Sequence, residues 1–413
     1  MVLNVLPCCR QRSGLAAAAL ALAFTALGSP SPVRAQVLPA GPVQAFDGRV
    51  RIGGEVVASI GADDDEAFFN YTDYEHNALR LLRLSLSGAW YPAERVALVG
   101  ELRSENVDSL IPFAAYVRIR PWKSRRLDIQ AGRIPPVFGA FGRRTYGPDN
   151  PIVGYPLAYQ YLTSLRTDSV PATPEDLLRM RGRGWLSSFP VGSQVPDAGV
   201  PLISAFRWDT GIQVRWSGAH VDLAGGVTTG TLSAPRVADD NGGKQLVGRA
   251  ALRPVIGLVL GVSGARGEWL SEDVPTSARR TFAQAALGID GEYSRGHWVI
   301  RGEAVWSRWD LPFAAAASSG GHVEGWGVWG EGYYRLTPRL FVAARGDHLG
   351  FSTIRTADGV ALPWDGPVDR VEATAGYYLQ RNLVVRGGVQ SNWRDAGRVR
   401  SRTFPTAQVA WWF

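Results

Sequence analysis

The feature that most restricts what this chain can become is an alternation of apolar and polar side chains that runs far longer than an ordinary strand. In LLRLSLSGAWYP, Leu82, Leu84, Leu86, Gly88 and Trp90 point one way and Arg83, Ser85, Ser87, Ala89 and Tyr91 the other. Val96, Leu98, Gly100 and Leu102 alternate in the same way with Ala97, Val99, Glu101 and Arg103, and Phe113, Ala115, Val117 and Ile119 with Tyr116, Arg118 and Arg120. Further on, Trp298, Ile300, Gly302, Ala304 and Trp306 alternate with Arg301 and Glu303, and Leu383, Val385, Gly387, Val389 and Trp393 with Arg386, Gln390 and Asn392. A period of two is the signature of a strand with two unlike faces. Strands of soluble sandwiches average about 5–6 residues, whereas a tilted strand that crosses a bilayer needs roughly 9–11, the length these runs reach.

Sixteen such segments are expected, near 48–60, 78–91, 94–105, 111–121, 126–134, 204–217, 220–230, 244–254, 257–268, 281–293, 297–309, 323–336, 339–350, 367–379, 382–394 and 400–413. Tight turns such as YPAE (91–94), PWKS (121–124), SGAH (217–220) and SRGH (294–297) alternate with long polar connections such as GADDDEAFFNYTDYEHN, so the two rims differ. The expectation is an all-β chain: a transmembrane antiparallel up-and-down β-barrel of about sixteen strands. One connection, residues 135–203, shows no hairpin pattern. A structureless loop of that length fits only if it folds inward, because a barrel this wide leaves lumen to be filled or narrowed. Inside it, Thr173 is placed to cap a short helix with Pro174 at its first position and Glu175 and Asp176 in its first turn.

Residues 1–35 are set aside as a secretory signal: Arg10 and Arg12 precede the apolar run GLAAAALALAFTALG, and a small-residue cleavage site ends before Gln36. Both cysteines, Cys8 and Cys9, leave with it, which excludes a disulfide-stapled domain or thiolate chemistry in the remaining 36–413 barrel. The segment also removes three arginines and no acids, so the formal charge falls from +7 to +4. That mild, dispersed charge gives no footprint for nucleic acid. No later apolar run is long enough for a spanning helix.

The phase of the alternation assigns the charges. An Arg or Lys facing lipid near the midplane costs about 2–4 kcal/mol, so the arginines belong to the inner face. Candidate pore-lining residues are Arg83, Arg103, Arg118, Arg120, Arg301, Arg345 and Arg386 on the wall, with Arg133, Arg143 and Arg144 entering from the long loop. The inner face also carries Glu55, Glu101, Asp128, Asp290, Glu292, Glu303, Glu331, Asp347 and Glu372. Three readings stay open: an arginine excess at a constriction selects anions, arginines and acids pair across the wall with no ion preference, or the charges form an extended track for a specific substrate. Enzyme chemistry finds no support, since the five histidines show no metal-ligand spacing, and neither a metal nor an organic cofactor is expected.

With these residues in view, the chain resembles the Gram-negative outer-membrane porin superfamily, most closely the phosphate-selective (O and P type) porins. The local carrier is QAGRIPPVFGAFG at 130–142, in which Gly132, Arg133, Pro136, Phe138 and Gly139 match the segment that leaves a strand and enters the inward loop. The resemblance implies an outer-membrane porin that passes small hydrophilic solutes by passive diffusion, trimeric, embedded in outer-membrane lipid and inserted by the barrel-assembly machinery. It departs in its cations: phosphate-selective members carry lysine-rich tracks, and here Lys123 and Lys244 stand alone. The alternative is a non-conducting barrel serving as an adhesin or structural protein. In AQVAWWF, Ala407, Val409, Trp411 and Phe413 share the lipid-facing phase, so the segment reads as a closing strand. The resemblance makes Trp411 and Phe413 its assembly signal.

Overall fold

The computed structural model describes residues 41–72, 76–124, 126–239, 242–274, 282–312 and 321–413; residues 1–35, expected to be a secretory signal, lie outside them. Sixteen antiparallel strands close into one barrel: β1 (Val50–Gly61), β2 (Leu82–Ala93), β3 (Val96–Glu105), β4 (Ser109–Ile119), β5 (Leu127–Ile134), β6 (Asp209–Ser217), β7 (Val221–Thr228), β8 (Gln245–Leu252), β9 (Leu258–Glu268), β10 (Ala283–Arg295), β11 (Trp298–Asp310), β12 (His322–Arg335), β13 (Leu340–Phe351), β14 (Val368–Gln380), β15 (Leu383–Arg394) and β16 (Ser401–Trp412). Each pairs with its sequence neighbour, and β16 returns to β1 through Glu55↔Trp412 to Gly61↔Thr406. Closure removes every free edge, the condition for backbone polar groups to survive in hydrocarbon.

The seam has an additional part. Phe413 exchanges both backbone hydrogen bonds with Gly54, at 3.0 and 3.1 Å. Immediately beyond, Val43–Ala45 pairs with Val50–Ile52 as a seventeenth, three-residue member of the sheet. The C-terminal strand and this N-terminal arm therefore lie end to end along the same edge of β1. Trp411 and Phe413 stack with centroids 5.0 Å apart on the outward phase, and the Phe413 ring lies against Gly54, where a Cβ would come within 2.7 Å of it.

The expected outward phase holds along most strands: Leu86, Ile212, Leu287, Ile289, Ile300 and Val371 are exposed, while their sequence neighbours turn inward. Two departures have local causes. A bulge where Glu101 and Leu102 meet β4 inserts one extra residue, and Phe113, expected outside, is turned into the barrel and fully buried. The sixth segment begins at Asp209 instead of 204, because 204–208 belong to the loop that precedes it.

That loop, between β5 and β6, enters the barrel. It carries a 3₁₀ turn at Phe141–Arg143 and two short helices, α1 (Leu157–Gln160) and α2 (Pro174–Arg179). Helix α2 has the expected start: Thr173 accepts from the Asp176 amide and the Asp176 carboxylate accepts in return, a capping box behind Pro174. The loop is held by a core instead of by water. Phe138, Phe141, Val153, Tyr155, Leu157, Tyr159, Tyr161, Leu165, Leu202 and Phe206 pack against the inward side chains Val247, Ala286, Val305, Trp309, Trp329 and Leu349 of the wall.

Candidate functional site in the lumen

The inner wall of β10–β15 carries charges of alternating sign in direct register. Glu292 faces Arg301, Arg301 faces Glu331, Glu331 faces Arg345, Arg345 faces Glu372, and Glu372 faces Gln390. The contacts follow the register: Arg301 reaches Glu331 at 2.6 Å, and Arg345 is bonded to Glu372, Asp347 at 3.2 Å and Glu331 at 3.4 Å. The Arg345 side chain is completely buried, so its charge is matched by three carboxylates and not by solvent. On the opposite wall Arg83 binds Glu105 at 2.7 Å and donates to the Tyr155 hydroxyl at 2.6 Å. Arg103 binds Glu101 at 3.0 Å, its guanidinium stacked 3.4 Å from the centroid of the inverted Phe113.

Onto this wall the loop docks through its backbone amides. Glu55 accepts from Gly147 at 2.8 Å, Glu303 from Ala140 at 3.2 Å and from the Tyr159 hydroxyl at 2.8 Å, and Asp347 from Leu157 at 3.3 Å. Arg370 donates to the Tyr155 carbonyl at 2.9 Å, and Arg386 to the Gly147 carbonyl and to Gln408 at 2.8 Å. The approach leaves no room for side chains. A Cβ on Gly154 would collide with Glu372 and Gln390, and Gly139 combines a φ of +70° with a site closed by Glu303 and Tyr159. From the long-loop rim, Asp365 accepts three more amides, Ser164 at 2.6 Å, Gly182 at 2.7 Å and Gly366 at 2.6 Å.

The ten sequence-derived arginines thus fall into different places. Arg83, Arg103, Arg301, Arg345 and Arg386 surround the docked loop. Arg118, which meets the Tyr91 hydroxyl at 3.4 Å, and Arg120, paired with Asp128 at 2.9 Å, stand toward the short-turn rim. Arg143 and Arg144 lie on the loop itself, Arg144 bound to Glu292. Arg133 is placed differently from the other nine. It ends β5 opposite Ala115 and Thr210, the outward phase, and its guanidinium donates to the Pro112 and Trp208 carbonyls at 2.6 and 3.1 Å. The positive φ of Gly132 directly before it marks where the chain leaves regular strand geometry. Trp309 and Trp329 also turn inward and pack against the loop; large apolar residues in the inner phase are the sequence signal that something covers the wall.

Toward the short-turn rim Arg118, Arg120, Arg144 and Arg253 keep partial exposure, the last three paired with Asp128, Glu292 and Asp222, and Arg143 and Arg215 converge on one carbonyl, that of Pro136, at 3.1 and 3.2 Å. At the other rim a cavity of about 460 Å³ opens among the loops, lined by residues that include Thr167, Asp168, Asp197, Arg236 and Asp273.

No family model matches this chain and no curated protein matches it. Solved structures do. The anion-selective porin from Comamonas acidovorans superposes with a TM-score of 0.54 at 10% identity, over 88% of this chain and 99% of that one. OmpT, an outer membrane protein of Vibrio cholerae, superposes with 0.53 at 9% identity, over 90% of this chain and all of that one. At these identities the likeness is one of fold: the chain has the architecture of Gram-negative outer-membrane barrels, along their whole length.

Proposed function

We propose that this chain is an outer-membrane channel of the porin type, through which small hydrophilic solutes diffuse passively with a preference for anions. The observation that carries the reading is the lumen: a sixteen-stranded barrel whose charged inner wall meets an inserted loop, with Arg118, Arg143 and Arg215 on the short-turn side bonded, among the described residues, only to neutral acceptors. On this reading residues 1–35 are removed, the short-turn rim faces the periplasm, and insertion uses Trp411 and Phe413. The protein then stands in the outer membrane among lipid, as a trimer, and the channel is not a catalyst. Planar-bilayer recording in a KCl gradient tests it. Discrete conductance with a reversal potential on the chloride side is expected; a potential on the potassium side would end the anion preference.

A second reading has its own support. The loop buries wall residues Glu55, Arg103, Arg345, Arg370, Gln213 and Glu303 almost completely, and the cavity beside Arg83, Tyr146 and Arg386 holds only about 20 Å³, room for one water. A barrel sealed in this way serves as an adhesin or structural protein. Absence of conductance from correctly folded protein decides for it.

A further inference from the structure

The cavity at the long-loop rim, about 460 Å³ in volume, falls within the roughly 300–1,000 Å³ of small-molecule sites. Its lining carries both signs of charge. Two carboxylates stand on the inserted loop. Asp168 is fixed by the buried Arg166, whose Nε and Nη2 donate to its two oxygens at 2.9 and 2.7 Å, while Nη1 donates to the Ser187 and Val195 carbonyls at 2.8 and 2.6 Å. A carboxylate has about four lone-pair positions, so Arg166 does not exhaust Asp168. Asp197, at an exposed position, accepts from the Ala198 amide at 2.7 Å through Oδ1, and its Oδ2 accepts no hydrogen bond among the described residues. A third carboxylate, Asp273 between β9 and β10, accepts from the Ser271 hydroxyl at 3.2 Å. The guanidinium groups enter from elsewhere: Arg207 where the inserted loop returns to β6, Arg236 in the connection between β7 and β8. The backbone of Arg236 is pinned, its amide donating to Asp209 at 3.0 Å and its carbonyl accepting from the Thr210 amide at 3.1 Å. A guanidinium has five donors in a planar fork, enough to serve the protein and a ligand together.

We propose that this cavity is a binding site for small zwitterionic solutes of the α-amino acid or dipeptide type, with the ammonium group on Asp168 and Asp197 and the carboxylate on Arg207 and Arg236. Like charges brought together oppose binding, and opposite charges favour it. A simple anion meets three carboxylates in this lining and a simple cation meets two guanidinium groups; a solute with both charges is answered at both ends. The site goes beyond the anion preference of the channel, since its solute has no net charge, and its occupancy does not depend on an open pore.

The test is calorimetric titration of the purified, folded barrel in a non-ionic detergent with alanine, alanylalanine, propionate and ethylamine in turn. Propionate is alanine without its ammonium group, and ethylamine is alanine without its carboxylate, so the series varies charge at nearly constant size. Saturable binding of alanine or alanylalanine is expected, with propionate and ethylamine at least about tenfold weaker. Asp197→Asn, which keeps an oxygen for the Ala198 amide, and Arg207→Gln lie at exposed positions and leave the barrel folded. Each is expected to weaken zwitterion binding about tenfold. No saturable binding of either zwitterion, equal binding of propionate or ethylamine, or undiminished binding by the folded double variant would each overturn the site. Bilayer recording on the same preparation separates the two levels: conductance without zwitterion binding rejects the site alone, and a non-conducting protein that still binds alanine rejects the channel alone.

Discussion

At the scale of single residues, the lumen arginines divide by what answers their charge. Arg345 is buried among Glu331, Asp347 and Glu372, and removing one member of such a network strands the others without compensation. Arg345→Gln is therefore expected to destabilise the barrel by roughly 3–5 kcal/mol, read as a lower midpoint in the heat-induced mobility shift on gels. Arg143 behaves oppositely. Burial and the Arg215 and Arg249 charges press on its guanidinium, which still keeps its proton, so its charge adds to the field of the lumen. Arg143→Gln should therefore lower the anion preference; reversal potentials in a KCl gradient measure it. The inward phase of these residues was legible from alternation alone, since charge cannot face lipid. The positions of Phe113 and Arg133 were not. An extra residue, Phe113, opposite Glu101–Leu102 and a departure at Gly132 each shift the phase at one position, and only Pro112 and Gly132, residues that interrupt a strand, mark the two places.

At the scale of elements, the strands were legible because their period and length are imposed by the bilayer, and helix α2 because its cap is written in Thr173, Pro174 and Asp176. The path of the loop was legible only as a requirement that it go inward. Its docking depends on carboxylates and amides that come together from strands far apart in sequence, as when Asp365 gathers Ser164, Gly182 and Gly366. Asp365→Ala leaves these buried donors unsatisfied, each at about 1–3 kcal/mol, and is expected to loosen the loop without opening the barrel. Limited proteolysis between 164 and 182 should then proceed in the variant and not in wild type, while the strand content seen by circular dichroism stays constant. The hairpin joining β3 and β4 carries a different strain: Asn106 and Val107 both adopt positive φ, at 52° and 61°. A β-branched residue pays for that conformation while glycine does not, so Val107→Gly should stabilise the barrel by about 1 kcal/mol, visible as a raised thermal midpoint. At the seam, Phe413→Ala keeps the backbone pairing with Gly54 but loses the stack on Trp411. Reduced levels of folded protein in the outer membrane, with unchanged conductance of the molecules that do assemble, is the expected outcome.

At the scale of the whole molecule, a barrel spans with its outside in lipid and its inside expected to be wet, and here the inside is built differently. The loop and the inward side chains of the wall share a buried apolar cluster, with Trp309, Trp329, Phe138, Phe141 and Tyr159 among its members. Among the described residues, this cluster buries apolar surface away from water as the core of a soluble domain does. Excising residues 150–200 is expected to raise single-channel conductance severalfold if the channel reading is right. The same cluster gives the molecule a calorimetric identity that an open barrel lacks. Opening the loop inside an intact barrel hydrates its aromatic and aliphatic surface, at about +0.45 cal/K/mol for each Å² of apolar area. Scanning calorimetry of the detergent-solubilised protein should therefore show a separate transition with a positive heat-capacity step before the barrel itself melts, absent from the loop-excised variant, and the hold on the loop should also weaken on cooling below its temperature of maximum stability.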